Sequence, residues 1–384
     1  MAKKRDFMAH KNQIIPILAF YLLITALSAW RVWHAVSQFF PGWALPWYAA
    51  GCCVLSFSLP LGYLLPKTRI AKGLEIIGNY WYSLQFMLIF AALFEWLADV
   101  IVVRLLRLPL QRQMSVFSLV IFGVAAAGFL YGAIHTRQIK IREYDCPVAK
   151  SLPTGETLRI VHLSDIHLSS INDLHTVQKI VSEVNTLSAD YICITGDVFT
   201  ETTQEVFEMA AISAAFRDLK SKYGVYACLG NHDVGEDLPE MKQFFRESGI
   251  TLLEDESAVQ EGVFLLGRTD MTPGGDTGHN RPSVATCLKD ASPNQLIVVM
   301  DHQPGDIENC AKAGVDILLS GLTHGGQFFP LNRLIHRVFP HYCGCKKFGE
   351  MYSIVSPGTS PIPYIRAIGD SEIIVVNVQS QARG

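Results

Sequence analysis

Five short segments carry the residue types that do chemistry. Asp165-Ile166-His167, Gly196-Asp197, Gly230-Asn231-His232-Asp233, Asp301-His302 and Thr323-His324 bring carboxylate, imidazole and amide groups to the ends of apolar stretches. Carboxylate, imidazole and amide oxygen together suit Mn, Fe or Zn. A lone Asp-x-His is more often a surface accident than a ligand pair, and a lone Gly-Asn-His-Asp can be only a turn. Five such clusters in order, each after an apolar run, point instead to one metal-dependent site assembled from distant parts of the chain.

The elements that must position them read as strands. LRIVHLSD, YICITGD, GVYACLGNHD, LIVVMDHQP and DILLSGLTH are each short, apolar and polar at the far end. Leu174, Val177, Val181 and Val184 follow the first at helical spacing, and a second helix is expected over 206–220. Strand-helix alternation argues an α/β layered fold, in which sites form beyond the carboxyl ends of the strands. The later strands, among them VFLLGRTD, MYSIVSPG and EIIVVNV, come faster with fewer helices, so the sheet should be mixed.

The first third of the chain is different. Of 384 residues with a formal net charge of -3, 49% are hydrophobic, the upper end for a soluble globular protein, and charge is sparse before about Thr136. Four apolar runs, Ile14–Trp30, Trp43–Leu65, Ile76–Val103 and Met114–Ile134, reach the ~18 residues needed to cross a bilayer, the first with its flanks. The first run lacks a small-residue cleavage site and is too long for a removed signal peptide. Residues 1–135 are therefore expected to form a four-helix transmembrane region, 136–157 a linker and first strand, and 158–384 the domain that holds the site.

With the N-terminus inside, ten basic residues (Lys3, Lys4, Arg5, Lys11, Lys67, Arg69, Lys72, Arg137, Lys140, Arg142) face four outside (Arg31, Arg104, Arg107, Arg112). That predicts a multi-pass protein of the cell membrane with its C-terminal domain cytoplasmic. Glu95 and Asp99, near the end of the third run, read either as functional polar groups or as interface residues. Nine scattered cysteines give no even framework. Cys193 and Cys228 read as core, and Cys343-Gly-Cys345 as a weak metal or redox motif. No nucleic-acid-binding signal is present.

In this order SDIH, TGD, GNHD, DHQP and THGGQ, over about Arg159 to Val378, the sequence resembles the calcineurin-like metallophosphoesterases, in their membrane-anchored branch. The tail SPGTSPIPYIR to SEIIVVNV looks like the closing hairpin of that branch. The resemblance implies an α/β four-layer sandwich, two mixed sheets flanked by helices, and two divalent metal ions. It implies that Asp165, His167 and His324 hold the first ion, that Asp197 bridges both, and that Asn231 and His302 hold the second. His232 is implied as general acid, or partner of the leaving or equatorial oxygen, with Asp233 steering its ring. Two such ions clamp a phosphoryl group and activate water.

Two positions depart from the family: Thr200, where many relatives carry an acidic residue and which is not taken as a ligand, and Leu322. The family's usual Gly-His-x-His-Gly-Gly is here Gly321-Leu322-Thr323-His324-Gly325-Gly326, so a ligand of the second ion is missing and that site is expected to be weaker. Leu322 leaves three readings: an active enzyme with a weak second ion, a replacement ligand such as Asp301 or His279, or a metal-binding membrane regulatory protein with a degraded, non-catalytic site. The expected function is hydrolysis of a phosphodiester, phosphomonoester or pyrophosphate, with a lipid or nucleotide-linked lipid as the substrate that membrane attachment suggests. Arg281, in the Gly-rich segment Met271 to Ser283, is the candidate phosphate-binding side chain, against the blander reading of a solvated loop charge.

Overall fold

The computed structural model describes residues 2–108, 111–152, 155, 157–200, 202–203, 206–271, 281–339 and 341–381. The chain divides into two compact units, Met1–Ala133 and Ile134–Gly384.

The first unit is helical: α1 (Ala2–Val36), α2 (Ala44–Leu64), α3 (Arg69–Asp99), which runs on as a wider turn over Val100–Leu105, and α4 (Gln111–His135). Ala19–Phe39, Ala44–Leu64, Arg69–Leu105 and Ser115–His135 are long and apolar enough to cross a membrane. Their burial pattern inverts that of a water-soluble bundle. Trp47, Leu64 and Val124 point outward, while Ser28, Ser56, Asn79, Ser83, Gln85 and Glu95 are buried. Glu95 resolves as an internal group: its carboxylate pairs with Arg31 from α1 and accepts the Ser118 hydroxyl of α4 at 2.9 Å. A charge held this way inside a helix bundle is satisfied by its neighbours rather than by water.

The second unit carries two six-stranded sheets among its described residues. The first runs β1-β12-β2-β3-β4-β5 and the second β10-β11-β9-β8-β7-β6. In the first sheet the strands are β1 (Ile139–Val148), β2 (Thr157–Leu163), β3 (Tyr191–Thr195), β4 (Val225–Cys228), β5 (Thr251–Leu252) and β12 (Ser371–Ser380). In the second they are β6 (Glu256–Gln260), β7 (Val263–Gly267), β8 (Leu296–Met300), β9 (Ile317–Ser320), β10 (Gly344–Phe348) and β11 (Met351–Val355). Both sheets are mixed, as expected: β12 is antiparallel to β2 but parallel to β1, and β6 and β10 run antiparallel to their neighbours.

Alternation along the strands sorts the core into three layers. Ile192 and Ile194 of β3 pack with Val177, Ile180 and Val184 of α5 (Leu174–Asn185), Ile212 and Phe216 of α6 (Met209–Arg217), and Met241 and Phe244 of α7 (Leu238–Glu247). Tyr191 and Cys193, on the other face of β3, pack with Val298, Met300, Ile317 and Leu319 between the sheets. Phe264, Leu266, Val299 and Leu318 face α8 (Val284–Cys287) and α9 (Ile307–Lys312). The result is helices, sheet, sheet, helices. Cys193 and Cys228 are buried core residues. The expected closing hairpin is not formed: β11 belongs to one sheet and β12 to the other. Residues 356–370 connect them as a loop.

Candidate active site and metal centre

The site lies beyond the carboxyl ends of β2, β3, β4, β8 and β9. Residues 164–168 after β2 run alongside 196–198 after β3: the amides of Asp165, His167 and Leu168 donate to the carbonyls of Gly196, Asp197 and Val198 at 2.8–3.1 Å. The loop after β4 lies against them so closely that a Cβ on Gly230 would sit 2.2 Å from Asp197 Oδ1. The loop after β9 approaches likewise, a Cβ on Gly321 falling 1.9 Å from Ser164 Oγ. Asp165, His167, Asp197 and His324 all have φ near +50°. Side-chain-bearing residues seldom adopt this left-handed conformation, and where it recurs it is held by surrounding structure, typically at functional sites.

Two donor groups result. Asp165, His167 and His324 form one, and Asp165, Asp197 and His302 another, each with its ligand atoms within 4.8 Å of one another. In the first, His167 Nε2 is 3.3 Å from His324 Nε2. Asp165 Oδ1 lies 3.9 and 3.6 Å from those two nitrogens. In the second, His302 Nε2 is 3.2 Å from Asp197 Oδ2 and 3.0 Å from Asn231 Oδ1. Ligand bonds of ~2.0–2.2 Å put neighbouring donor atoms about 3.0–3.5 Å apart; the 3.3 and 3.2 Å separations match that, and the 3.6 and 3.9 Å ones to Asp165 exceed it slightly. Among the described residues the buried Nδ1 atoms of His167 and His324 have no hydrogen-bond partner. Their Nε2 atoms face each other in the site.

Asp197 divides its two oxygens. Oδ1 accepts the backbone N–H of His232 at 2.9 Å. Oδ2 lies 3.7 Å from His167 Nε2 and 3.2 Å from His302 Nε2, between the two donor groups. His302 is oriented from behind: its Nδ1–H donates to the Thr195 carbonyl at 2.8 Å, turning Nε2 into the site. The His232 ring is half-buried and edge-on to His167, 5.3 Å between centroids.

The electrostatics divide the histidines. Burial pushes His167 down to about 3 and His324 well below the usual imidazole range. Both are neutral, the form that binds metal. Burial also opposes charge on His302, but Asp197 outweighs it and holds that imidazole well above its ordinary value. Asp197 answers in the opposite sense: burial raises its carboxyl, yet His302 and His167 bring it well below the ordinary range. Asp165 is pushed up to about 6, chiefly by burial, with Asp197 adding to it.

Three sequence expectations change. Asp233 is fully buried, and its carboxylate accepts the amides of Val198, Phe199 and Gly230 at 2.9–3.2 Å. Among the described residues no hydrogen bond joins it to the His232 ring. It ties the β3 and β4 loops together instead of steering that ring. Arg281 is neither a solvated loop charge nor a free phosphate ligand. Its guanidinium is bound to Asp301 and to the Thr269 carbonyl, 7% exposed. That pairing also removes Asp301 as a replacement ligand, while His279 lies outside the described residues. Leu322 has φ +74° and donates its backbone N–H to Asp165 Oδ1 at 3.3 Å. The loop is a left-handed turn, not an extension of β9.

Two buried supports escaped the sequence reading. Ser164 Oγ contacts Asp165 Oδ2 and the Thr195 carbonyl. Arg366, fully buried, donates to the His324 carbonyl at 2.9 Å and the Pro357 carbonyl at 2.6 Å. Ser164 directly precedes Asp165 in the motif, a position that could have drawn attention. Arg366 sits in an apolar tail with no signal beyond its isolation.

Residues 158–329 match the calcineurin-like phosphoesterase family. The chain is 30% identical over 203 residues to the Bacillus subtilis metallophosphoesterase YkoQ, spanning 52% of this chain and 73% of that one. It belongs to the calcineurin-like phosphoesterases, a hydrolase family that uses divalent metals. Among relatives, a zebrafish transmembrane protein with metallophosphoesterase domain is 30% identical over 261 residues, covering 64% of this chain. The match spans 58% of the zebrafish protein's length. A Campylobacter jejuni metallophosphoesterase is 26% identical, covering 71% of each chain. Among solved structures, a putative 5'-nucleotidase of Staphylococcus aureus aligns with 13% identity and a TM-score of 0.36, over 59% of this chain and 55% of that one.

Proposed function

We propose that this chain is a membrane-bound phosphoesterase that hydrolyses a phosphate ester or pyrophosphate with two divalent ions. The observation that carries the reading is the convergence of six side chains from five loops into two donor groups that meet at Asp197 Oδ2. Asp165, His167 and His324 would hold one ion, Asn231 and His302 the second, and Asp197 would serve both. When bound, the ions supply Lewis-acid polarisation of the phosphoryl group and of water.

The chain's own residues do the rest. The Thr195 carbonyl fixes His302 in one orientation. The His232 amide occupies Asp197 Oδ1 and leaves Oδ2 facing the donors. The His232 ring, half-buried beside His167, would give a proton to the departing oxygen. Because Leu322 offers no donor, the second site is the weaker one. A lipid or nucleotide-linked lipid is the substrate that four apolar helices favour. The basic-residue balance favours a cytoplasmic catalytic domain, which a reporter fused after Gly384 checks.

The second reading, a metal-binding regulatory protein without turnover, rests on Leu322 alone. Metal content of the purified full chain, together with hydrolysis of bis-p-nitrophenyl phosphate in Mn, separates the two. Bound metal with turnover supports the enzyme. Bound metal with none supports the regulator.

A further inference from the structure

Directly after the His324 turn comes α10 (Leu331–Val338). Its sequence, LNRLIHRV, places Leu331, Leu334, Ile335 and Val338 on one face of a helix and Asn332, Arg333, His336 and Arg337 on the other. Yet no residue of α10 is buried. Leu334 is 48% exposed and Val338 67%, and Phe329 just before the helix is 69% exposed. An amphipathic helix normally turns its apolar face to the core; this one leaves that face open.

Charge and position say what covers it. Arg333 and Arg337 have no acidic partner among the described residues, and no acidic residue lies on the helix itself. The helix is also linked to the point where the fourth apolar helix ends. His135, the last residue of that helix, contacts the Gly369 carbonyl at 3.0 Å and Asp370 at 3.1 Å. The adjoining amides of Ala367 and Ile368 donate to the Gln327 carbonyl at 2.9 and 2.7 Å, two residues before Phe329. Ile368 is itself an exposed apolar residue. A short run of hydrogen bonds therefore connects His135 to an open apolar face flanked by arginines that have no acidic partner among the described residues.

We infer that α10, with Phe329, is an interfacial helix that lies in the headgroup layer of a bilayer containing anionic lipid. Its apolar residues enter the acyl boundary, and Arg333 and Arg337 meet lipid phosphates. At its other end α10 is locked to the metal loop: a Cβ on Gly326 would lie 2.3 Å from Asn332 Cα, and the Asn332 amide donates to the Phe328 carbonyl at 3.0 Å. Seating α10 thus sets the height of the His324 loop above the bilayer. This inference needs no catalysis and stands whether or not the site turns over.

The test uses the full chain, one copy per nanodisc, in discs of phosphatidylcholine alone or of phosphatidylcholine and phosphatidylglycerol at about 3:1, with hydrogen exchange read over residues 329–339. The expected result is at least ~10-fold slower exchange of the α10 amides in the anionic discs. Arg333→Glu/Arg337→Glu should abolish the lipid dependence. Leu334→Ser/Val338→Ser should abolish the protection itself. Both variants change exposed side chains, and unchanged exchange over β2, β3 and β8 verifies the fold. Equal exchange in both discs, unaffected by either variant, would overturn the proposal. So would protection that appears only at two copies per disc, which would assign the face to a second copy of this chain.

Discussion

Nε2 of His167 and Nε2 of His324 face each other across 3.3 Å, though the two residues are 157 positions apart in the chain. Each imidazole is held neutral by burial. A neutral imidazole carries one N–H, so without an ion one Nε2 can donate to the other. A divalent ion would instead take a lone pair from each, which makes the pair ordinary as half of a metal site.

Asp197→Ala removes the oxygen that faces both donor groups, and should abolish turnover together with most bound metal. His232→Ala should retain the metal and lose about 10²- to 10⁴-fold in kcat. Elemental analysis and steady-state kinetics on the same preparations check both. Equal metal loss in the two variants would show that His232 is a ligand.

Leu322→His should tighten the second ion. Histidine is better tolerated than leucine at a positive φ, and Leu322 sits at +74° with its amide on Asp165. Losing even an outer partner of a metal ligand costs ~10- to 100-fold in affinity. The Mn concentration for half-maximal activity should therefore fall by at least about 10-fold and metal content rise toward two per chain. An unchanged Mn requirement with two ions already tight in the wild type would mean that another donor occupies the vacant position.

Asp233→Ala strands three buried amides, those of Val198, Phe199 and Gly230. Each unsatisfied group costs about 1–3 kcal/mol. The variant should lose several degrees in Tm and bind metal weakly, because the loops carrying Asp197 and Asn231 are no longer tied. A variant that melts normally but has lost only turnover would return Asp233 to the role of steering His232.

His162 supplies a pH signature. It is fully buried beneath the site, bonded to Thr195 Oγ1 at 2.7 Å, and burial pushes it down to about 3. Unfolded, it titrates near 6.5. Between those values the unfolded chain binds the extra proton, so this contribution to stability is complete above about pH 6.5 and declines as pH falls toward 3. The Tm of His162→Asn should fall less steeply than that of the wild type over this window. Parallel curves would show that His162 does not drive the acid sensitivity.

What the sequence made legible was what single strands encode. Each apolar run ends where its ligand begins, so the order of Asp165, Asp197, Asn231, His302 and His324 could be read without knowing which strands are neighbours. Relations between loops could not. Asp233 looks like a partner for the adjacent His232, and only the approach of the β3 and β4 loops shows three amides waiting for it. Arg281 looks solvated in a Gly-rich segment, and only the packing beside β8 delivers it to Asp301. DILLSGLTH looks like one continuous strand, whereas the turn after β9 is left-handed at Leu322. The two-residue β5 and the polar β6 lack the apolar runs that marked the other strands.

The placement of β12 has a consequence for how the protein is made. β1 follows the last apolar helix and, among the described residues, pairs with β12 alone. Arg142 and Glu372, which meet across that pair, are separated by 230 residues. A ribosome adding ~5–20 residues per second therefore leaves β1 without its hydrogen-bonded neighbour, and β2 with an open flank, for tens of seconds after the fourth helix has emerged. During that interval the half-built sheet exposes two pairing edges, the situation in which strands recruit wrong partners. β12 closes both edges at once, so the first sheet cannot be completed before residues 371–380 have been made.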